Sequence, residues 1–314
     1  MRYAAIIILC LFTLHLCAQT DTADGNSSGI RRFACTSAPR VNRKRLLLVA
    51  GGETVLAGGS LVALSQLWYK DYPHEKFHFF NDNSEWLQMD KCGHAITSYT
   101  LGRYGYNLLR WSDLPEKKCI LYGGLTGFAY LTVIEVFDGF SSGWGFSTGD
   151  MAANTLGAGL FIGQQLAWHE QRITPKFGYR KSGYAQYRPF LLGADFREQV
   201  LKDYNGQTYW LSVNVASFLG DGTKFPGWLN IAVGYGANGM TGGKSNPFMQ
   251  NAAGNTICFP RYRQLFLSPD IDLTRIPVRS KWLGRIFKTF GFLKIPAPGI
   301  ELGRGKISGR WLLF

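Results

Sequence analysis

The sequence predicts an α+β protein: an N-terminal bundle of about four hydrophobic helices, then a mainly antiparallel β C-terminal region with one basic amphipathic helix. Three observations carry this expectation. Charge is unevenly divided: the 314 residues hold 34 Lys and Arg against 21 Asp and Glu, a net +13. Residues 1–170 hold 14 of each sign while residues 171–314 hold 20 basic and 7 acidic, so the whole excess lies in the second half. The hydrophobic period also changes, from helix-length apolar runs before residue 170 to alternation after residue 200. The third observation is the leader-like N-terminus. With 46% apolar and 18% charged residues the chain is not of the disordered class. The expected layout is a signal peptide over 1–19, a basic linker over 20–45, a helical domain over 46–170 and a basic β-rich region over 171–314.

Taken in order, Arg2 precedes the apolar run Ala4–Leu16, and Ala18 supplies the small residue of a cleavage site. The run is too short to span a bilayer. Leu16 is too bulky before Cys17 for lipoprotein processing, so ordinary cleavage and an exported, periplasmic or outer-membrane-associated protein are expected. Removal of the leader leaves Cys35, Cys92, Cys119 and Cys258, whose spacing fits no zinc pattern. A Cys92–Cys119 disulfide and plain core thiols both remain open. Leu46–Tyr69 carries one charge, Glu53, and its Gly51, Gly52, Gly58 and Gly59 would let another helix approach. Helices are further expected over Trp86–Trp111, Cys119–Phe137 and Asp150–Trp168. Length permits membrane spans, but Arg31–Arg45 would lie on the exported side, against the positive-inside rule.

In the second half, Tyr209–Ser217, Trp228–Met240 and Arg261–Thr274 alternate as half-buried strands do, with Leu229, Ile231, Val233 and Tyr235 on one face. About six strands can be counted, too few for a complete barrel. Ser280–Leu293 returns to helical period. Lys281, Arg285 and Lys288 beside Trp282 suit a bilayer surface carrying anionic lipid, or a helix capping the sheet.

The residues fit for chemistry fall in the neutral half. Asp90 and His94 of DKCGH are i,i+4 on a helix, with Lys91 beside them; Glu135 ends the next helix, followed by Asp138 and Ser141. Asp150 and Asn154 are again i,i+4. Carboxylates in apolar surroundings are costly unless paired, so these groups are expected to meet. Asp90, His94, Glu135 and Asp150 offer a divalent-metal ligand set; the same four offer an acid/base pair, and a purely structural network is the third reading. Lys91, Asp138, Ser141 and Asn154 are the accompanying binding candidates.

The pattern WLQMDKCGH, a later Glu, then DGFSSGWGFSTGD with Asn154 resembles the YfiM-like family of predicted periplasmic proteins and is distantly similar to VanZ-like membrane proteins. FPGWLNIAVGYGANGM and LSPDIDLTRIP look like the C-terminal extension of longer members. The resemblance implies an envelope location and points to Asp90, Lys91, His94, Glu135, Asp150 and Asn154, with no assigned reaction.

His74-Glu75-Lys76-Phe77-His78 matches HExxH, but Pro73 before it and Asn81-Asp82-Asn83 after it deny the helix that a zinc protease needs. No nucleophile elbow or phosphate-binding loop occurs. The basic excess lacks any nucleic-acid motif, so membrane lipid or another anionic envelope component is the expected partner.

Overall fold

The computed structural model describes residues 41–69, 72–220, 222–250 and 255–314. The expected signal peptide and most of the basic linker lie outside them. The chain forms two compact units that interleave in sequence: residues up to Phe80 with Thr97–Glu170 and Val278–Thr289, and Asn81–Ile96 with Gln171–Pro277 and Phe290–Phe314.

The helical unit begins with α1, Arg43–Leu64, capped by the Asn42 side chain accepting from the Arg45 amide at 3.1 Å. Helix α2, Met89–Trp111, enters this unit at Thr97; α3 spans Thr126–Asp138 and α4 Thr148–Trp168. A π-helical turn at Cys119–Gly123 leads into α3. Glycines draw α2, α3 and α4 together. A Cβ on Gly102 would stand 2.6 Å from the Gly124 carbonyl oxygen, and one on Gly127 would collide with the Ser98 carbonyl. From the same spot the Ser98 hydroxyl donates to the Asn154 carbonyl at 2.7 Å.

The expectation of a four-helix bundle is therefore corrected. Helix α1 buries only Val49 and Leu56, and leaves Leu47, Leu48, Val55 and Val62 exposed. Its Gly51, Gly58 and Gly59 face open space, so the small residues that suggested close approach do not serve it. The first third of α2, Met89–Ile96, belongs with the sheet unit, so only the part from Thr97 on packs in the helical unit. Arg43–Leu64 and Glu116–Asp138 are long and apolar enough to cross a membrane.

Residues 72–80 run extended against the loop after α3. His78 N donates to Gly139 O, Phe80 N donates to Phe146 O, and Phe146 N donates back to His78 O. HExxH is thus not helical, as its flanks indicate. His78 Nε2 lies 2.7 Å from the Trp144 carbonyl.

The sheet unit is a six-stranded antiparallel meander: β1 Ile173–Tyr179, β2 Gln207–Asn214, β3 Leu229–Asn238, β4 Tyr262–Ile271, β5 Ala297–Gly303 and β6 Lys306–Leu313, each paired with the next. The sheet is rolled. Four strand spacings of about 4.8 Å would put β6 some 19 Å from β2 if it were flat. Instead the Phe314 carbonyl accepts from Trp210 Nε1 at 2.9 Å and from the Thr208 hydroxyl. The open edge of β1 is covered too: Phe177 N donates to Phe292 O and Lys294 N to Phe177 O.

The alternation expected in β2, β3 and β4 is present, but its apolar face points outward. Leu211, Val233, Leu267 and Ile300 form one row across four strands, and all are exposed. The inner face carries Ser212, Asn230, Asp270, Gln264 and Glu301 with Trp210 and Phe266. Helix α5, Phe196–Lys202, precedes β2. Helix α6, Lys281–Phe290, groups with the helical unit up to Thr289, where Tyr104 OH donates to the Thr289 carbonyl at 2.8 Å.

Candidate functional site

The sequence-derived candidates divide between the two units, and each group is built differently. In the sheet unit, α2 opens after an unusual turn. Trp86, Leu87 and Gln88 all have positive φ, at 47°, 52° and 64°. Left-handed backbone costs a side-chain-bearing residue roughly 1–2 kcal/mol, so three in a row require support. Tyr235 OH donates to the Leu87 carbonyl at 2.5 Å, Trp86 N donates to Gly243 O at 2.8 Å and Gln88 Nε2 donates to Asn83 O at 2.6 Å. Met89, fully buried, packs with Tyr209, Ala237 and Met240.

This turn fixes the direction in which Asp90, Lys91 and His94 leave the helix. Asp90 Oδ1 accepts from Tyr204 OH at 2.6 Å and stands 4.0 Å from His94 Nε2. Lys91 Nζ lies 2.7 Å from Asp82 and 3.4 Å from Asp90. Asp90 is thus the hub of a half-buried phenol, ammonium and imidazole set. Gly93, on the next turn face, leaves room for the Tyr209 hydroxyl, since a Cβ there would stand 2.9 Å from it. Cys92 is a free thiol, and burial with the nearby Asp90 charge pushes it up to about 11, which leaves it protonated near neutrality. Burial also raises the Glu85 carboxyl, against the opposing pull of Lys244. Tyr204 and Asp82 are partners that sequence reasoning missed; only the aromatic and Asx-rich character of their segments hinted at them.

In the helical unit the other candidates surround the start of α4. Ser147 caps that helix, its hydroxyl accepting from the Asp150 amide at 3.1 Å, and its own amide donates to Glu135 Oε2 at 3.0 Å. Glu135, Asp150 and Asn154 are all buried. The N-terminal end of a helix presents unsatisfied N–H groups and a partial positive charge, which is why carboxylates are tolerated there. Asp138 accepts instead from Tyr69 OH at 2.5 Å. Ser141 is buried in the bridge to His74, and its hydroxyl accepts from the Gly143 amide at 3.3 Å. These two hold the loop.

The membrane-surface candidates are solvent-facing. Lys281, Trp282 and Lys288 on α6 are exposed and Arg285 is half-buried. In the same unit a shallow groove of about 420 Å³ runs between α1 and the Tyr122–Val133 segment, lined by apolar side chains around Glu53.

Residues 78–163 match the model of a family described as "Predicted periplasmic lipoprotein (DUF2279)". The match covers less than half of the chain, and takes in α2, α3, α4 and both candidate clusters. It supports an envelope, periplasmic protein of uncharacterised function. No match was found among curated proteins or among solved structures.

Proposed function

We propose that this chain is an exported, membrane-associated cell-envelope protein whose basic second half faces anionic lipid and whose buried polar clusters fix helix position. The carrying observation is α6, on which Lys281 and Lys288 stand exposed beside Trp282, itself 66% exposed. Exposed cations next to an exposed indole suit the boundary between headgroups and acyl chains. The DKCGH start of α2 and the Asp150–Asn154 face of α4 support a YfiM-like, more distantly VanZ-like, kinship as part of this reading.

The test is partition of the full chain onto vesicles of phosphatidylethanolamine and phosphatidylglycerol. Each basic residue near such a surface contributes about 1 kcal/mol, so Lys281→Gln with Lys288→Gln should weaken binding roughly 30-fold. Equal binding to vesicles lacking phosphatidylglycerol, or none at all, overturns the reading.

One observation favours a second reading, a metal- or acid/base-dependent enzyme acting on a lipid-linked or anionic envelope substrate. Asp90 gathers Tyr204, Lys91 and His94 within hydrogen-bonding or ion-pair reach. Elemental analysis of wild type beside His94→Ala and Glu135→Gln decides it for either cluster. Stoichiometric divalent metal that is lost in a variant supports this second reading. A metal-free wild type, with both variants merely less stable, leaves the structural network.

A further inference from the structure

The rolled sheet holds ions and polar groups inside, beside the apolar cluster of Trp210, Ala232, Phe266 and Leu313, and shows an aliphatic row outside. Inside, Lys176 and Asp270 are both completely buried and 2.6 Å apart, and Lys294 Nζ lies 3.5 Å from the same carboxylate. Ser212 donates to Asp270 at 2.6 Å, Asn230 to Ser212 at 2.8 Å and Asn214 to Asn230 at 2.6 Å. Lys176 also donates to the Ile271 carbonyl, and Lys294 to the carbonyls of Pro269 and Ile295. Outside, Leu211, Val233, Leu267 and Ile300 stand side by side, each about half exposed. Sequestering ions while displaying aliphatic side chains is costly in water and favourable in hydrocarbon.

The outer face is not bare everywhere. Tyr209, Tyr235 and Phe177 are covered by Trp86–Ile96 of the same unit. The exposed row lies beyond that cover and is bounded by cations and aromatics. Lys224 and Trp228 precede β3, while Arg304 and Lys306 flank the β5–β6 turn, Arg304 lying 4.2 Å from the Tyr262 ring centre. Strands β3 and β4 each run ten residues, within the roughly 9–11 that a tilted strand needs to cross an apolar layer. An apolar band edged by basic and aromatic residues complements acyl chains under anionic headgroups.

We propose that the outer face of this rolled sheet is immersed in the acyl layer of an anionic envelope membrane, with the Lys176–Asp270–Lys294 cluster as its polar filling. This deepens the membrane-associated reading and rests on it: α6 touches the surface, whereas the sheet enters. The occupant of the Leu211–Ile300 row is lipid.

The full chain is bound to phosphatidylethanolamine–phosphatidylglycerol vesicles and washed with high salt and then alkaline carbonate, which strip surface-bound protein. Wild type should stay with the vesicles. Val233→Arg with Leu267→Arg should lower the retained fraction at least roughly tenfold, since a cation on a lipid face is strongly unfavourable. Val233→Phe with Leu267→Phe should be retained, and circular dichroism should show all three proteins folded. Wild type that binds at low salt but is released by the washes overturns immersion and leaves surface association standing. Wild type that never binds overturns both. A water-soluble dimer that the arginine pair converts to monomer, without vesicle retention, overturns the proposal by making a second copy the occupant.

Discussion

The two units differ in the charge they bury: the helical unit buries carboxylates alone among its described residues, and the sheet unit buries lysines as well. In the helical unit the buried groups are acidic, and they collect where a helix begins: Glu135 receives the Ser147 amide while Ser147 caps the Asp150 amide. The helix supplies the donors that its own geometry leaves unpaired. In the sheet unit Asp203, Asp272 and Glu301 are buried too, but the innermost cluster is basic in balance, with two lysines sharing Asp270 and also donating to the carbonyls of Ile271, Pro269 and Ile295. Backbone N–H groups answer buried anions in both units, as at Asp203 and Asp272, while backbone C=O groups answer buried lysines in the sheet unit. The lesson is that net charge alone, zero in one half and +13 in the other, says little about which charges are accessible. Much of what makes each region distinctive is sealed inside it.

The sharpest way to break this comparison is at Asp270. Asp270→Asn leaves Lys176 and Lys294 buried without an anion, and loss of one partner of a buried ion pair costs about 3–5 kcal/mol. A urea-unfolding midpoint unchanged from wild type would show that the carbonyls alone satisfy the lysines. In the helical unit the corresponding weak point is steric. Gly127→Ala drives a methyl into the Ser98 carbonyl, and overpacking of this kind costs about 1–3 kcal/mol. Thermal unfolding should show the loss, and an unaltered midpoint would mean that α2 and α3 can separate freely. Ser147→Ala probes the acidic side more gently. It removes the α4 cap for about 1 kcal/mol, measured by the same melt, and no change would show that Glu135 suffices to hold the helix start. The smallest effect has the opposite sign. Arg304-Gly305 forms the two-residue β5–β6 turn with φ of 52° and 70°. Asn is far better suited to that position, so Arg304→Asn should stabilise the sheet unit by about 0.5 kcal/mol. Destabilisation would assign the Arg304–Tyr262 contact a larger role than the turn.

Much of the local structure was legible in the sequence, and the reasons for what was not are specific. Alternation located β2, β3 and β4 within a residue or two at most ends, and small residues around Asp150 marked α4. Alternation states that a strand has two unlike faces; it does not state which face water sees, so the outward turn of Leu211, Val233 and Leu267 was hidden. Strands β1, ITPKFGY, and β5, APGIELG, carry Pro, Gly and a buried Lys176, which break the pattern. At the candidate site, Asp90 and His94 were legible from their i,i+4 spacing, and the Glu135 and Asp150 carboxylates from their isolation in apolar runs. The left-handed turn at Trp86–Gln88 was not, because bulky residues avoid that backbone and only distant groups such as Tyr235 and Gly243 hold it. The bundle expectation failed for a related reason. Glycine permits close approach without demanding it, and those of α1 were not the ones used.

The seam of the rolled sheet sets a kinetic condition. The Phe314 carbonyl meets Thr208 and Trp210, which precede it by 106 and 104 positions, so closure joins segments far apart along the chain. Contacts of such long range form late and slowly. Until they form, the aliphatic rows and the unpaired edges of β1 and β6 are displayed together, the state in which β proteins aggregate. The yield on refolding from denaturant should therefore depend on whether lipid or detergent is already present to cover those rows.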